Sequence, residues 1–321
     1  MSPRVFVTRC IPQCGLEKLE ESVDCRVWPG AMPPAPDELL EHASGCEGLV
    51  TLLSDRMDGD VMDAIGSQLK VIANYAVGYN NIDVNAATER GIRVGNTPGV
   101  LTEATADIAV GLVLAAARSF GEGLANVADR QWRTWEPMGF IGQDLRERTV
   151  GIIGFGRIGQ AIARRLRFGW NMQVLYFSRS AKPEIDAELG SRRVELDELL
   201  QSSDFISVNT SLTPETHHLI NAAALAQMRP HAVLVNTARG EVVDQDALYE
   251  ALREGRIFAA GLDVTTPEPL ADDSPLRELS NSLILPHIGS ATHDSRNAMS
   301  DIAAENVLAG LRGEPLPHGV N

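Results

Sequence analysis

The stretch Val150–Gly159, VGIIGFGRIG, decides the fold because it places a glycine-rich turn between a predicted strand and a predicted helix. Gly154 permits the tight turn, Gly156 lets the backbone approach a pyrophosphate, and Gly159 lets the helix pack closely on the strand. The helix N-terminus adds free amides and a partial positive charge. The motif therefore predicts a dinucleotide-binding turn. Its candidate cofactor contacts are Gly154, Gly156, Arg157, Ile158 and Gly159.

The alternation of strand and helix continues on both sides of this turn. One series runs from Thr149 to Leu285, and another precedes it between Val5 and Val94. Such alternation implies βαβ units and parallel sheets, so we predict an α/β protein with a Rossmann-type doubly wound parallel sheet. Between the two series, the nearly all-apolar stretch Thr102–Ala117 predicts a helix buried on every side, between domains or between subunits.

Composition excludes several classes of protein. With 321 residues, 44% of them hydrophobic and 22% charged, the chain has the make-up of a globular protein. Its length suggests about two domains. A net charge of −15 disfavours nucleic acid and anionic membranes as partners. No apolar run is long enough to span a bilayer and no signal peptide is evident, so we expect a cytoplasmic protein. The four cysteines lack the spacing of a metal site, and we expect no metal.

The segment after the next predicted strand concerns the choice of cofactor. Val174–Phe177 is followed by Ser178, Arg179 and Ser180, whereas an NAD site normally has a carboxylate there. The two serines can donate hydrogen bonds, and Arg179 can pair with a 2′-phosphate. NADP(H) is therefore favoured. NAD(H) stays open, because an exposed Arg179, or one stacked on adenine, suits that cofactor too.

Three more segments follow strands in the second half: Val235–Gly240 (VNTARG), Gly261–Pro269 (GLDVTTPEP) and Leu285–Thr292 (LPHIGSAT). Each places polar residues beyond the carboxyl end of a strand, where open α/β sheets bind ligands. With the glycine turn and Tyr75–Asp83 (YAVGYNNID), they resemble the D-isomer-specific 2-hydroxyacid dehydrogenase family over nearly the whole chain. Within that family, LDVTTPEPL, PHIGSAT and AGLRGEP are most similar to the glyoxylate/hydroxypyruvate reductases.

The resemblance implies a catalytic set of Arg239, Glu268 and His287. In such a set the arginine binds the substrate carboxylate and polarises the C2 carbonyl, and the histidine exchanges a proton with the C2 oxygen. The glutamate orients the imidazole and stabilises its charged form. The implied substrate contacts are Arg239, the amides of Val77 and Gly78, and Leu53, Ser54 and Ser290. The implied contacts at the nicotinamide end of the cofactor are Thr105, Thr237, Ala238 and Asp263.

The resemblance also implies the domain organisation. A flavodoxin-like α/β substrate domain would combine residues 1–99 and 287–321, and an NAD(P)-binding domain would span 100–286, with the substrate in the cleft between them. A homodimer is expected. Trp132 and Trp135 precede the glycine turn; either they reach a substrate pocket, perhaps of the other subunit, or they pack in the core or an interface.

The implied function is NADPH-preferring reduction of glyoxylate and hydroxypyruvate to glycolate and D-glycerate, with small 2-keto or 2-hydroxy acids as partners. Two alternatives stay open at this point. One is a D-2-hydroxyacid dehydrogenase for a bulkier 2-keto acid. The other is a dinucleotide-sensing binding protein without enzymatic activity, since the same fold occurs in transcriptional corepressors.

Overall fold

The computed structural model describes residues 2–321, and the chain divides into two compact units. The first unit extends to Leu101 and also includes Ala291–Asn321, whereas the second is the continuous segment Thr102–Ser290. Residues 287–290, assigned to the substrate domain from the sequence, lie in the second unit. His287 is therefore in the same unit as Arg239 and Glu268.

The first unit is built on a parallel sheet of five strands in the order β2-β1-β3-β4-β5, which is the flavodoxin-like order. The strands are β1 (Arg4–Val7), β2 (Asp24–Val27), β3 (Gly48–Thr51), β4 (Val71–Asn74) and β5 (Arg93–Gly95). The helices between them are α1 (Gln13–Glu20), α2 (Pro36–Ala43), α3 (Gly59–Ile65) and α4 (Val84–Glu89). β3 and β4 are buried along their whole length, as expected for inner strands with both faces covered.

The C-terminal helix, His293–Arg312, completes this first unit from the far end of the chain. Its Ser300 hydroxyl donates to the carbonyl of Pro12 at 2.8 Å. Its fully buried Asn306 donates from Nδ2 to the carbonyl of Asn96 at 3.0 Å. The helix is thus tied to the start of α1 and to the end of β5, and its packing closes the core of the unit.

The second unit is built on a parallel sheet of seven strands in the order β12-β11-β10-β9-β6-β7-β8. The strands are β6 (Thr149–Ile153), β7 (Gln173–Phe177), β8 (Arg192–Arg193), β9 (Phe205–Val208), β10 (Val233–Asn236), β11 (Ala259–Leu262) and β12 (Ser282–Ile284). The order reverses at β6, which confirms the doubly wound sheet predicted from the sequence. Ligands bind such sheets at the carboxyl ends of the strands, beside this reversal.

Helices cover both faces of the second sheet. They are α5 (Thr102–Ala117), α6 (Phe120–Ala128), α7 (Arg157–Trp170), α8 (Pro183–Leu189), α9 (Leu196–Ser202), α10 (Ala222–Gln227) and α11 (Gln245–Arg253). Burial of α5 on every side, expected from its composition, is not observed within this unit. Ala109 and Leu112 are buried, but Asp107 and Gly111 are exposed, because α5 lays one face on the sheet and turns the other outward.

A buried carboxylate ties together the amino-terminal ends of three strands of the second sheet. Asp204, just before β9, accepts hydrogen bonds from the amide of Thr149 at 2.8 Å and from Arg229 at 2.7 Å, and His231 Nε2 lies 2.7 Å from it. Burial of Asp204 disfavours its ionised form, but these hydrogen bonds outweigh burial and hold the pKa of the carboxyl below its usual value. Asp204 therefore stabilises the fold as an anion.

Within residues 2–321, no single helix is long and apolar enough to cross a bilayer. In the same part of the chain, α5 and α6 are long and apolar enough only when taken together, and these two helices are bent by 69° relative to each other.

Candidate active site

The glycine turn connects β6 to α7, and its three glycines have different surroundings. Gly154 has a φ of +89°, and a Cβ there would lie 2.6 Å from the amide nitrogen of Thr210. A Cβ on Gly159 would lie 2.3 Å from the carbonyl oxygen of Gly154. A Cβ on Gly156 would meet nothing within 4 Å. The fold therefore requires the first and last glycines, whereas the middle one leaves an open cradle.

This cradle fits the pyrophosphate of a dinucleotide. Gly156 is the N-cap of α7, and no side chain caps the helix there, so the first amides of α7 have no side-chain acceptor. Free amides and the positive end of a helix of 14 residues together attract an anion. Arg157 and Ile158, predicted as cofactor contacts, form the first turn of this helix.

The ribose end of the predicted cofactor site lies where β7 ends. Ser178 donates from Oγ to the carbonyl of Ser180 at 2.7 Å, and this bond shapes the turn that presents the exposed Arg179. Arg193 on β8 donates from Nε to the carbonyl of Ser178 at 2.8 Å. The sequence did not single out Arg193, because a strand of two residues has no hydrophobic periodicity to mark it.

The predicted catalytic residues follow the carboxyl ends of three different strands. Arg239 follows β10, Glu268 lies in the loop after β11, and His287 lies in the turn after β12. His287 Nδ1 and a carboxylate oxygen of Glu268 form a hydrogen bond, and both side chains are partly exposed. A carboxylate oxygen is the acceptor in such a bond, so Nδ1 is its donor, and Nε2 takes no part in it.

Arg239 is half-buried, and the Glu268 carboxylate is close enough to act on its charge. Its Nη1 donates to the carbonyl of Ala238 at 2.7 Å, and its own carbonyl accepts from Asn236 Nδ2 at 2.8 Å. Burial lowers the pKa of the Arg239 guanidinium, and the carboxylates of Glu268 and Glu241 act in the opposite direction. The group nevertheless remains a cation, because the pKa of arginine starts far above neutrality.

A buried carboxylate at the end of β11 holds the turn that carries His287. Asp263 accepts from the amides of Ile288 and Gly289, each at 2.8 Å. Thr105 on α5 donates to the carbonyl of Gly289 at 3.2 Å. Burial raises the pKa of Asp263, although the two amides oppose that shift. His287 has a φ of +54°, an unfavourable conformation that these contacts on the following residues help to maintain.

The loop that carries Glu268 is fixed by contacts that the sequence did not reveal. Gln245, the first residue of α11, accepts from the amide of Thr266 at 3.0 Å and donates to its carbonyl at 2.6 Å. A Cβ on Gly240 would lie 2.1 Å from the carbonyl oxygen of Thr265, so the backbone after Arg239 rests directly on this loop. We name Thr265–Pro269 the glutamate loop.

The remaining predicted residues of the second unit surround these groups. Thr237 donates to Asn209 Oδ1 at 3.3 Å, and the amide of Ala238 donates to Asn236 at 3.0 Å. Ser290 is half-buried beside Gly289. Trp132 and Trp135 are 67% and 80% exposed, so neither packs in the core of its own unit.

Two predicted substrate residues of the first unit, Val77 and Gly78, lie in a turn after β4. The carbonyls of Val77 and Gly78 accept from Asn96 at 2.7 Å and from Asn74 at 2.8 Å. Within residues 2–321, the amides of Val77 and Gly78 have no intramolecular acceptor. Two oriented amides without acceptors are suited to an anion. Leu53 is half-buried and Ser54 exposed after β3, the strand next to β4.

Comparison with known proteins identifies the class. The family described as D-isomer specific 2-hydroxyacid dehydrogenase, NAD binding domain, matches residues 110–289. The chain belongs to this family of oxidoreductases, and its cofactor is a nicotinamide dinucleotide.

Particular relatives match along almost the whole chain. A glyoxylate reductase of Korarchaeum cryptofilum is 48% identical over 100% of this chain and 96% of its own. A human glyoxylate reductase/hydroxypyruvate reductase is 49% identical over 98% of this chain and 96% of its own.

Two solved structures have the same fold along both chains. A protein of Thermus thermophilus has a TM-score of 0.92 at 47% identity, covering 99% of this chain and 100% of its own. An NADPH-dependent glyoxylate/hydroxypyruvate reductase of Sinorhizobium meliloti, solved with NADP and malonate, has a TM-score of 0.86 at 33% identity, covering 100% of this chain and 97% of its own.

Proposed function

We propose that the protein reduces glyoxylate and hydroxypyruvate to glycolate and D-glycerate, with NADPH as the preferred donor. The observation that carries the proposal is the hydrogen bond between His287 Nδ1 and Glu268, in the unit that also holds Arg239. The names of the relatives at 48% and 49% identity support the choice of small 2-keto acids.

In this proposal, Arg239 binds the substrate. Its planar guanidinium pairs with the substrate carboxylate and polarises the C2 carbonyl. Because Arg239 is half-buried, its charge acts in a medium less polar than water, where it stabilises a developing negative charge more strongly. In the first unit, the proposed substrate residues are Val77 and Gly78, through their amides, together with Leu53 and Ser54. Ser290 belongs to the proposed substrate residues of the second unit.

The proton comes from His287. The bound nicotinamide supplies the hydride that reduces C2. His287 gives the Nε2 proton to the C2 oxygen as negative charge develops there, and it takes the proton back in the reverse direction. Glu268 accepts from Nδ1, which orients the ring and stabilises the charged imidazolium before transfer. A positioned general acid contributes about 10²–10⁴-fold to the rate.

The cofactor is held along the carboxyl ends of the second sheet. The glycine turn takes the pyrophosphate, with Gly154, Gly156, Arg157, Ile158 and Gly159. The nicotinamide end is bordered by Thr105, Thr237, Ala238 and Asp263. At the ribose, the usual carboxylate is replaced by Ser178, Arg179 and Ser180. This replacement supports NADPH over NADH, because a cation attracts the 2′-phosphate of NADPH, whereas a carboxylate repels that phosphate.

The test is a set of four assays on the full chain. Oxidation of NADPH and of NADH is followed with glyoxylate and with hydroxypyruvate, by the absorbance of the reduced nicotinamide. We expect turnover of both acids and a higher kcat/KM for NADPH. Higher activity with NADH would refute the proposed preference for NADPH, but the proposed reduction of the two keto acids would stand. Dinucleotide binding without turnover of either acid would refute the proposed reaction.

The assembly proposed is a homodimer formed through the segment around α6. Phe120, Leu124 and Val127 on α6 are 49%, 69% and 58% exposed, and Trp132 and Trp135 follow them. Several large exposed apolar side chains within one segment support an interface there. Light scattering should give the mass of two chains; a monomer mass across micromolar concentrations would contradict the proposal.

A cytoplasmic location is also proposed. All four cysteines are free thiols within residues 2–321, which is typical of a reducing compartment. Cell fractionation tests this part of the proposal, and recovery of the protein outside the cytoplasm would refute it.

A further inference from the structure

Two adjacent arginines on the edge strand β8 have opposite surroundings. Arg192 and Arg193 pair in register with Leu175 and Tyr176 of β7. Successive side chains of a strand point to opposite faces. Arg192 forms an ion pair with Glu198 at 2.7 Å. Arg193 instead reaches the end of β7, where its Nε donates to the carbonyl of Ser178 at 2.8 Å. The two residues therefore have different roles despite their identical chemistry.

The contact with Ser178 uses only one edge of the Arg193 guanidinium. Within residues 2–321, Arg193 has no carboxylate partner, and its two Nη groups have no intramolecular acceptor. The side chain is exposed, so these donors are accessible to a ligand. The Nε bond holds the guanidinium at the Ser178–Ser180 turn, which also carries Arg179.

Within residues 2–321, no neighbouring acid forms an ion pair with Arg193. Asp186 on α8 accepts from the Tyr176 hydroxyl at 3.0 Å and from Ser191 at 2.7 Å. Glu198 is engaged by Arg192. In a chain of net charge −15, the end of β7 therefore has a local excess of positive charge from Arg179 and Arg193. A phosphate dianion is matched better by two guanidinium groups than by one.

We propose that Arg193 is a second cationic ligand of the adenosine-ribose 2′-phosphate and a determinant of cofactor specificity. The inference rests on the proposed preference for NADPH. Arg179 supplies one guanidinium from the turn itself, and Arg193 supplies the other from the neighbouring strand. Ser178 links them, because its carbonyl orients Arg193 while its hydroxyl shapes the turn that carries Arg179.

The test measures binding without catalysis. Titration calorimetry compares adenosine 2′,5′-bisphosphate with AMP, which differs from it only by lacking the 2′-phosphate, on the full chain. Arg193→Ala should weaken binding of the bisphosphate about 10-fold or more and leave AMP binding unchanged. Arg193→Gln keeps a donor for Ser178 and removes the charge, so it should show the same loss. Arg192→Ala is the matched control and should bind both ligands as the unmodified protein does.

The results separate this inference from the cofactor preference. If the unmodified protein binds both ligands equally, the NADPH preference fails. A different outcome would refute only the inference about Arg193. In that outcome the unmodified protein prefers the bisphosphate, Arg179→Ala removes the preference, and Arg193→Ala and Arg193→Gln both retain it. An equal loss of both ligands in Arg193→Ala, with a normal thermal unfolding midpoint, would also overturn it, because it would show a general effect on the adenosine site.

Discussion

Replacing Gly240 by alanine tests whether the close approach of two loops sets the geometry of the catalytic groups. The new Cβ would lie 2.1 Å from the carbonyl oxygen of Thr265 and 2.2 Å from its carbonyl carbon. Real Cβ atoms essentially never come closer than 3.0 Å to another heavy atom, so the backbone must open by at least 3.0 − 2.1 = 0.9 Å. The segment that moves carries either Arg239 or the glutamate loop.

The size of the effect follows from that displacement. A misplacement of about 1 Å at a catalytic group costs about 10²-fold in rate, and overpacking of this kind costs about 1–3 kcal/mol in stability. We therefore expect Gly240→Ala to lower kcat with hydroxypyruvate about 10²-fold. The dissociation constant for NADPH should change much less, because the glycine turn is on another strand.

The assay combines steady-state kinetics, calorimetric binding of NADPH and thermal unfolding. Gly169→Ala is the matched control, since its Cβ would meet nothing within 4 Å on the exposed side of α7. That variant should keep full activity and unfold at the same or a slightly higher temperature, because alanine is the better helix former. Full activity of Gly240→Ala would refute the argument that this contact positions the site.

Three further outcomes are expected. Gly156→Ala should raise the Kd for NADPH at least about 10-fold without changing the thermal midpoint, since its Cβ fills space the protein leaves open; calorimetry and thermal unfolding check both. Asp204→Asn should lower the free energy of unfolding by about 2 kcal/mol at neutral pH in urea titrations. Because the folded-state pKa of Asp204 is lowered, that difference should shrink as pH falls below about 4; a constant difference would contradict the assignment. Gln245→Ala should lower kcat and change its pH profile, with KM for NADPH unaffected, because the clamp on Thr266 positions Glu268 rather than the cofactor; an unaltered pH profile would refute this.

The elements that were predictable from the sequence depend on local patterns. The glycine turn needs only neighbouring residues to define its shape, and β6 and α7 follow from it on either side. The parallel order of both sheets follows from alternating strand and helix. The bond between His287 and Glu268 was anticipated through the family resemblance, since the two residues are 19 positions apart and no local pattern connects them.

The contacts that were not predictable depend on tertiary packing. Gln245 has the appearance of an ordinary first residue of a helix, and only the fold brings it to Thr266. The different surroundings of Arg192 and Arg193 depend on the pairing of β8 with β7. Which side of α5 lies on the sheet was not predictable either, because composition alone does not show which face of an apolar helix contacts its own unit.

The C-terminal helix has a consequence for the order in which the two units fold during synthesis. Residues 2–101 emerge from the ribosome before the second unit, yet their own unit is incomplete without Ala291–Asn321. The second unit is continuous, so it can fold while the first still lacks the helix that contacts Pro12 and Asn96. The unit whose synthesis starts earlier is therefore the later one to reach its native core, and a stop codon shortly before Ala291 would damage a core built mainly by residues 2–101.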